Sequence, residues 1–181
     1  MAARGSGMIF HELVTTEAGF LDAVAGLSEA QARFKPAGDV WSVLEITEHV
    51  TRAEHGAFRM LQRMVAGAPA SPEERAATKG KDMKVTAVLF DRSTRRDAPE
   101  GVRPTGRWGT LAEAAEAFQV TRQDVLRWLE SQQQDLRGWT GAHPVLGQLD
   151  GKQWLLFMVA HCERHSRQIL ELKGREDFPL G

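Results

Sequence analysis

Cysteine, tyrosine and charge of a single sign are all scarce in this 181-residue chain. Its one cysteine, Cys162, allows no internal disulfide, a usage that fits a reducing compartment. Tyrosine is absent, and no stretch alternates apolar with polar residues or strings β-branched residues together, which argues against sheet. The 23 Lys and Arg almost balance the 24 Asp and Glu, giving a net charge of −1 with no block of like charges. Nucleic-acid binders ordinarily carry a basic face, so no DNA or RNA partner is expected. The small group Arg92, Arg95 and Arg96 reads as a solvated loop. The longest apolar run, Trp154 to Ala160, is far too short to cross a bilayer. No apolar run follows the N-terminal Met-Ala-Ala-Arg-Gly-Ser-Gly-Met, so residues 1–7 read as a loose tail rather than a signal peptide. The expected location is the cytoplasm, with no membrane partner.

What the chain has in quantity is helical patterning. With 42% apolar and 26% charged residues it has an ordinary globular composition, and its length suits one domain, 1–181, with a substantial core. From Ile9 to Ala25, Phe10, Leu13, Val14, Ala18, Leu21 and Val24 recur at helical spacing, with Gly26 as the stop. Leu27 to Phe34 makes a short turn of helix opened by Ser28, and Pro36 with Gly38 breaks it. Ser42 with Glu45 forms a capping box that opens a second long helix, whose core face includes Leu44, Ile46, Val50, Ala57, Leu61 and Met64. Gly67 and Pro69 end it. A third helix starts at the Thr110–Glu113 box and dies in the polar stretch Ser131 to Thr140; a fourth starts at Asp150 with Gln153. Between the second and third lies a proline-rich connection, residues 67–109, with one coherent apolar run, Met83 to Phe90, read as a short helix. A connection of that length is a lid or a crossover. Ala142 to Gly147, with His143, reads as a loop. The sum is an all-α fold, a four-helix bundle with a long crossover between helices 2 and 3.

Candidate chemistry centres on the fourth helix. His161 and His165 are four apart and share a face, with apolar Trp154, Met158, Ile169 and Leu172 on or near it. Buried neutral imidazoles need partners, and a divalent metal supplies them. His49, on the second helix, is the third candidate ligand and shares a face with Trp41 and Glu45. Spacing of this kind recurs by accident, and each histidine has a plain reading as a satisfied core or surface residue. The zinc-protease motif fits poorly, because Glu163 does not directly follow His161. Cys162 points about 100° round the helix from His161 and reads as a small buried hydrophobe. Glu45 is either a cap alone or an acceptor for the His49 ring. His11 reads as a surface residue, His55 points away from the His49 face, and His143 reads as a loop residue. Arg164 and Arg167 either hold an anionic substrate or are spent in surface ion pairs.

The segment Trp41-Ser42-Val43-Leu44-Glu45-Ile46-Thr47-Glu48-His49, with His161-Cys162-Glu163-Arg164-His165-Ser166-Arg167-Gln168-Ile169 far downstream, resembles the DinB-like superfamily of four-helix metalloproteins. Asp91-Arg92, Ala98-Pro99-Glu100, Val102-Arg103-Pro104 and His143-Pro144 are similar to what that family carries between the two. The resemblance implies an up-down-down-up bundle, frequent homodimers, and a metal site on His49, His161 and His165 for nickel or zinc, with iron and manganese as further options. It also implies an enzyme of hydrolase or thiol-dependent transferase type, acting on a small molecule that includes, in some members, a low-molecular-weight thiol; a bound water or a substrate thiolate would be the nucleophile. Two alternatives stand beside it: a non-catalytic metal-binding or dimerisation module, and a bundle that binds an apolar ligand without metal.

Overall fold

The protein is described here by a computed structural model over residues 3–91 and 97–180, with side chains from residue 7 onward. The chain is predominantly helical. Its long helices are α1 (Ala3–Val24), α3 (Val43–Ala66), α6 (Leu111–Ser131) and α7 (Gly151–Lys173), joined by the shorter α2 (Glu29–Arg33), α4 (Pro72–Thr78) and α5 (Asp82–Phe90). Single 3₁₀ turns occupy Glu100–Val102 and Leu136–Gly138. The capping boxes expected at Ser42, Thr110 and Asp150 all form, and Ser28 and Ser71 make two more. Each satisfies two otherwise orphaned backbone donors, which is why these helices start where they do. The first helix ends two residues before Gly26, whose φ of +70° reverses the chain at no steric cost.

α1 and α3 each pack against both α6 and α7, and α5 lies along α7 from outside. Two apolar clusters result. One joins Leu13, Leu61, Val125, Leu155 and Met158 with Val85 and Leu89 of α5; the other joins Phe20, Ile46, Val50, Phe118, Cys162 and Ile169. Between them in sequence, on α1, α3 and α6, sits a buried polar layer. Arg122, 0% exposed, pairs in bidentate fashion with Glu54 and donates through Nη1 to the Leu13 carbonyl (2.6 Å) and Thr16 Oγ1 (3.0 Å). Glu54 holds the Arg122 pKa up against the burial that would lower it. In the same layer Gln123 donates to the Glu17 carboxylate at 2.8 Å.

Four sequence expectations change here. The first helix starts at Ala3, so residues 3–7 continue it rather than forming a tail, and residues 1–2 lie outside the described ones. Its core face is Ile9, Leu13, Glu17, Phe20 and Val24, whereas Val14 is 39% exposed and Ala18 is exposed. Leu13 and Val24 keep the expected phase and Phe10 and Leu21 pack against the core, but Glu17 is a core position that reads as a surface one. The described part of the 67–109 connection carries more helix than its prolines suggest, since Pro72 sits at the first position of α4, where a missing N–H costs nothing. The arginines Arg92, Arg95 and Arg96 lie outside the described residues.

The fourth change is a two-stranded antiparallel hairpin where the sequence reads as a loop. β1 (Thr140–His143) and β2 (Gly147–Asp150) pair in the register Thr140↔Asp150 through His143↔Gly147. The turn needs Gly147, whose φ is +71°. A Cβ at Gly141 would come 2.8 Å from Met64 Sδ, so the hairpin lies directly on α3. Strands this short carry no alternation to read; tertiary contacts hold them, among them Arg137, whose Nη1 donates to Asp150 at 2.8 Å and also to Asp82 of α5.

Candidate metal centre

His49 sits two turns into α3, and His161 and His165 one turn apart on α7, so the α3–α7 contact decides whether they meet. They do. Nε2 of His161 is 3.1 Å from Nε2 of His49 and 3.2 Å from Nε2 of His165. All three residues are buried, and their ligand atoms lie within 4.8 Å of one another. Nδ1 of His49 lies 2.8 Å from the Val102 carbonyl, which only accepts, so Nδ1 carries the proton and Nε2 the lone pair. His165 is set the same way by Gln168 Oε1, 2.9 Å from its Nδ1.

Two lone pairs therefore point at His161 Nε2. A single N–H there can answer one of them, and the other would face nitrogen across a van der Waals contact. A cation at the centre answers all three: nitrogens bound tetrahedrally to zinc stand about 3.3 Å apart, close to the separations found. His161 Nδ1 is buried and has no hydrogen-bond partner among the described residues. The residues present thus fit a divalent ion held by three neutral imidazoles.

Burial lowers the pKa of His49, with the Arg52 charge adding to it against the opposing Val102 bond. His161 is pushed well below its ordinary value, by burial first and then by His165 and His49. Both are neutral at pH 7, the form a metal needs.

A second ring of side chains fixes the first. Trp41 packs on His49 with centroids 4.9 Å apart, and Phe157 stacks on His161 at 5.0 Å and 29°. Glu48, 1% exposed, turns away from the trio and holds the loop that carries Val102. Its Oε1 accepts from Thr105 N (2.7 Å) and Thr105 Oγ1 (2.9 Å), and its Oε2 from Gly106 N (2.9 Å) and Arg107 N (3.2 Å). Burial raises its pKa, but the bonds from Thr105, Arg52 and Gly106 outweigh that and the net value is lowered. The 67–109 connection is thus part of the site.

The other sequence candidates divide. Glu45 is a cap: Oε2 accepts the Ser42 N–H at 2.8 Å and Oε1 takes Lys35 Nζ at 2.9 Å, so the His49 acceptor is the Val102 carbonyl instead. Cys162 is fully buried, donates to the Thr16 carbonyl at 3.4 Å, and has a pKa raised to about 12 by burial. Arg164 Nη1 donates to the Leu89 and Asp91 carbonyls, closing the end of α5, while Arg167 pairs with Glu163 at 2.8 Å and lies over Phe90. His11 and His55 are exposed.

His143 is the residue that sequence reasoning missed. Its ring is 9% exposed, lies 4.5 Å from Phe157 and 4.9 Å from Trp154, and borders the same cavity as the trio. Burial lowers its pKa to about 4. The signal available in sequence was His143-Pro144 ahead of a glycine; nothing there reveals that the turn folds back over α7.

That cavity has a volume of about 1310 Å³. His49, His161 and His165 open into it among apolar walls that include Trp41, Val102, Leu146 and Phe157, with Arg103 at its edge. Fold and site together define a helical protein with a three-histidine pocket fitted to a divalent ion. The chain matches the model of the DinB superfamily over residues 12–169 and belongs to that superfamily. It is also similar to the uncharacterized protein YuaE of Bacillus subtilis (strain 168), 27% identical over 150 residues, which cover 83% of this chain and 88% of that protein.

Proposed function

We propose that the protein is an enzyme working through one divalent ion on His49, His161 and His165, a hydrolase or thiol-dependent transferase acting on a small molecule. The supporting observation is that three aligned Nε2 atoms open into a cavity of about 1310 Å³. Structural sites are closed by a fourth protein ligand, whereas three ligands beside open volume suit an incoming molecule. Ligand pockets usually measure about 300–1,000 Å³, so this one takes a substrate with apolar bulk. Nickel or zinc is the expected ion, with iron and manganese as further options. The same reading takes the chain as one domain, an up-down-down-up bundle of α1, α3, α6 and α7, working as a cytoplasmic homodimer.

The ion would supply Lewis acidity and an open position at which a water or a substrate thiol becomes more acidic. The chain's own residues prepare the place. The Val102 carbonyl and Gln168 hold two ring protons away from the centre. Burial keeps the His49 and His161 imidazoles neutral, and Trp41 and Phe157 pack on their rings.

Metal analysis of protein purified without chelator tests this. The expected result is about one divalent ion per chain, lost in each of His49→Ala, His161→Ala and His165→Ala while helical content persists. Full-strength metal binding in any of the three variants sinks the assignment. Unfolding of the wild type on chelation would favour a structural ion instead.

A further inference from the structure

Beyond the metal ligands, the cavity is lined by a polar group whose hydrogen-bonding state is fixed by its surroundings and whose far end has no partner among the described residues. The turn Pro144–Leu146 aims two backbone donors, Val145 N and Leu146 N, at His143 Nδ1, each at 3.1 Å. A ring nitrogen that accepts two N–H groups carries a lone pair, so the single proton of the neutral ring sits on Nε2. That Nε2–H meets no acceptor among the described residues, yet it is not sealed in; His161 Nδ1 is the one buried unpaired side-chain atom found among them. It thus keeps accessible surface, on a residue that lines the cavity.

A cap for the turn needs only Nδ1, and an Asn or Asp would provide it with less bulk. The imidazole adds a second, oriented donor, gripped between Trp154 and Phe157. Phe157 is also the ring stacked on His161, so the donor and the ligand trio pack on one phenyl ring and line one cavity. A ligand oxygen placed there would accept the Nε2–H in place of cavity water.

We propose that His143 Nε2–H is a substrate-binding donor, which takes a carbonyl or carboxylate oxygen of a molecule whose aromatic or alkyl body fills the apolar part of the cavity. The molecule is then held at two points, one at the ion and one at His143. This orients it before any bond is made. The inference builds on the metal-enzyme reading but does not need the ion for its own test.

Phenylacetate serves as the probe, with ¹⁵N-labelled protein and the ring nitrogens of His143 followed by NMR at pH 7, once with one equivalent of zinc and once with chelator. The expected result is a free protein with the proton on Nε2 and a lone pair on Nδ1, and an Nε2–H signal that moves on addition of phenylacetate in both samples. His143→Leu should weaken phenylacetate binding about tenfold, and His143→Gln, which returns an N–H near the Nε2 position, should recover most of it. A proton on Nδ1, a signal that phenylacetate leaves in place, or equal affinity in wild type and His143→Leu overturns the proposal, whatever the zinc result. Failure of zinc to bind while the His143 signal still moves overturns only the metal reading. The wild-type measurements decide the matter even where His143→Leu disturbs the turn.

Discussion

Glu48 offers the sharpest test of how the metal centre is held, because it touches neither ligand nor cavity yet controls the loop that orients His49. In Glu48→Gln the side chain keeps its shape but has one acceptor oxygen in place of two. If that oxygen stays with the Thr105 N–H and hydroxyl, the new NH₂ faces the backbone N–H groups of Gly106 and Arg107. Each donor so orphaned costs about 1–3 kcal/mol, and the exposure of Gly106 and Arg107 to water puts the pair near the low end, roughly 2–3 kcal/mol together. For a chain of this size that lowers Tm by roughly 4–12 °C. The loosened loop carries the Val102 carbonyl, 2.8 Å from His49 Nδ1, so metal affinity falls by about 10–100-fold, as for other partners of ligating histidines. Thermal unfolding by circular dichroism in chelator reads the first effect, and zinc titration against a competing chelator reads the second. A Tm within about 2 °C of wild type would refute the reasoning about the carboxylate. A lowered Tm with unchanged zinc affinity would refute the link from Glu48 through Val102 to His49.

Three further outcomes follow from buried groups. The His143 ring titrates at about 4 in the fold and near 6.5 when unfolded, so between those values the unfolded chain binds more protons and stability rises with pH. Urea unfolding without metal should lose roughly 3 kcal/mol from this residue between pH 7 and pH 4, a dependence that His143→Phe removes; an unchanged slope in that variant counts against the burial argument. Cys162, with its thiol pKa raised to about 12, should react with a disulfide reagent no faster than the protein unfolds, and rapid labelling under native conditions would contradict its placement. Arg122→Met leaves the Glu54 carboxylate buried without its partner and should cost about 3–5 kcal/mol in urea unfolding, with much of that restored by adding Glu54→Leu; a single-variant cost under about 1 kcal/mol would mean the pair is not sealed from water.

The sequence reveals most where a structural rule spans a few residues. The boxes Ser42/Glu45, Thr110/Glu113 and Asp150/Gln153 are complete within four positions, so they mark three helix starts without reference to the rest of the chain. His161 and His165 share a face through helix geometry alone, and His49 joins them because apolar neighbours commit its helix face to the interior. The core face of the first helix is legible only in part, for the opposite reason. Glu17 is buried because Gln123, more than a hundred positions away, completes its hydrogen bonds, and no local pattern records that. The hairpin and its histidine are hidden likewise, since strands of four residues owe their pairing to Met64, Arg137 and Trp154 rather than to propensity.

The contrast between Glu45 and Glu48 carries this to the candidate metal centre itself. Glu45 lies four residues before His49 on the same face, where a side-chain partner for the ring would be sought. Its carboxylate is nevertheless spent on the Ser42 N–H and on Lys35. Glu48 faces elsewhere and still governs His49, by pinning the loop whose Val102 carbonyl accepts the ring proton. A backbone carbonyl is present at every residue and marks none of them. Candidate ligands chosen for their side chains can therefore be read from spacing, whereas a partner made of main chain, and the carboxylate that positions it, emerge only when the stretch from Val102 to Arg107 is folded against α3.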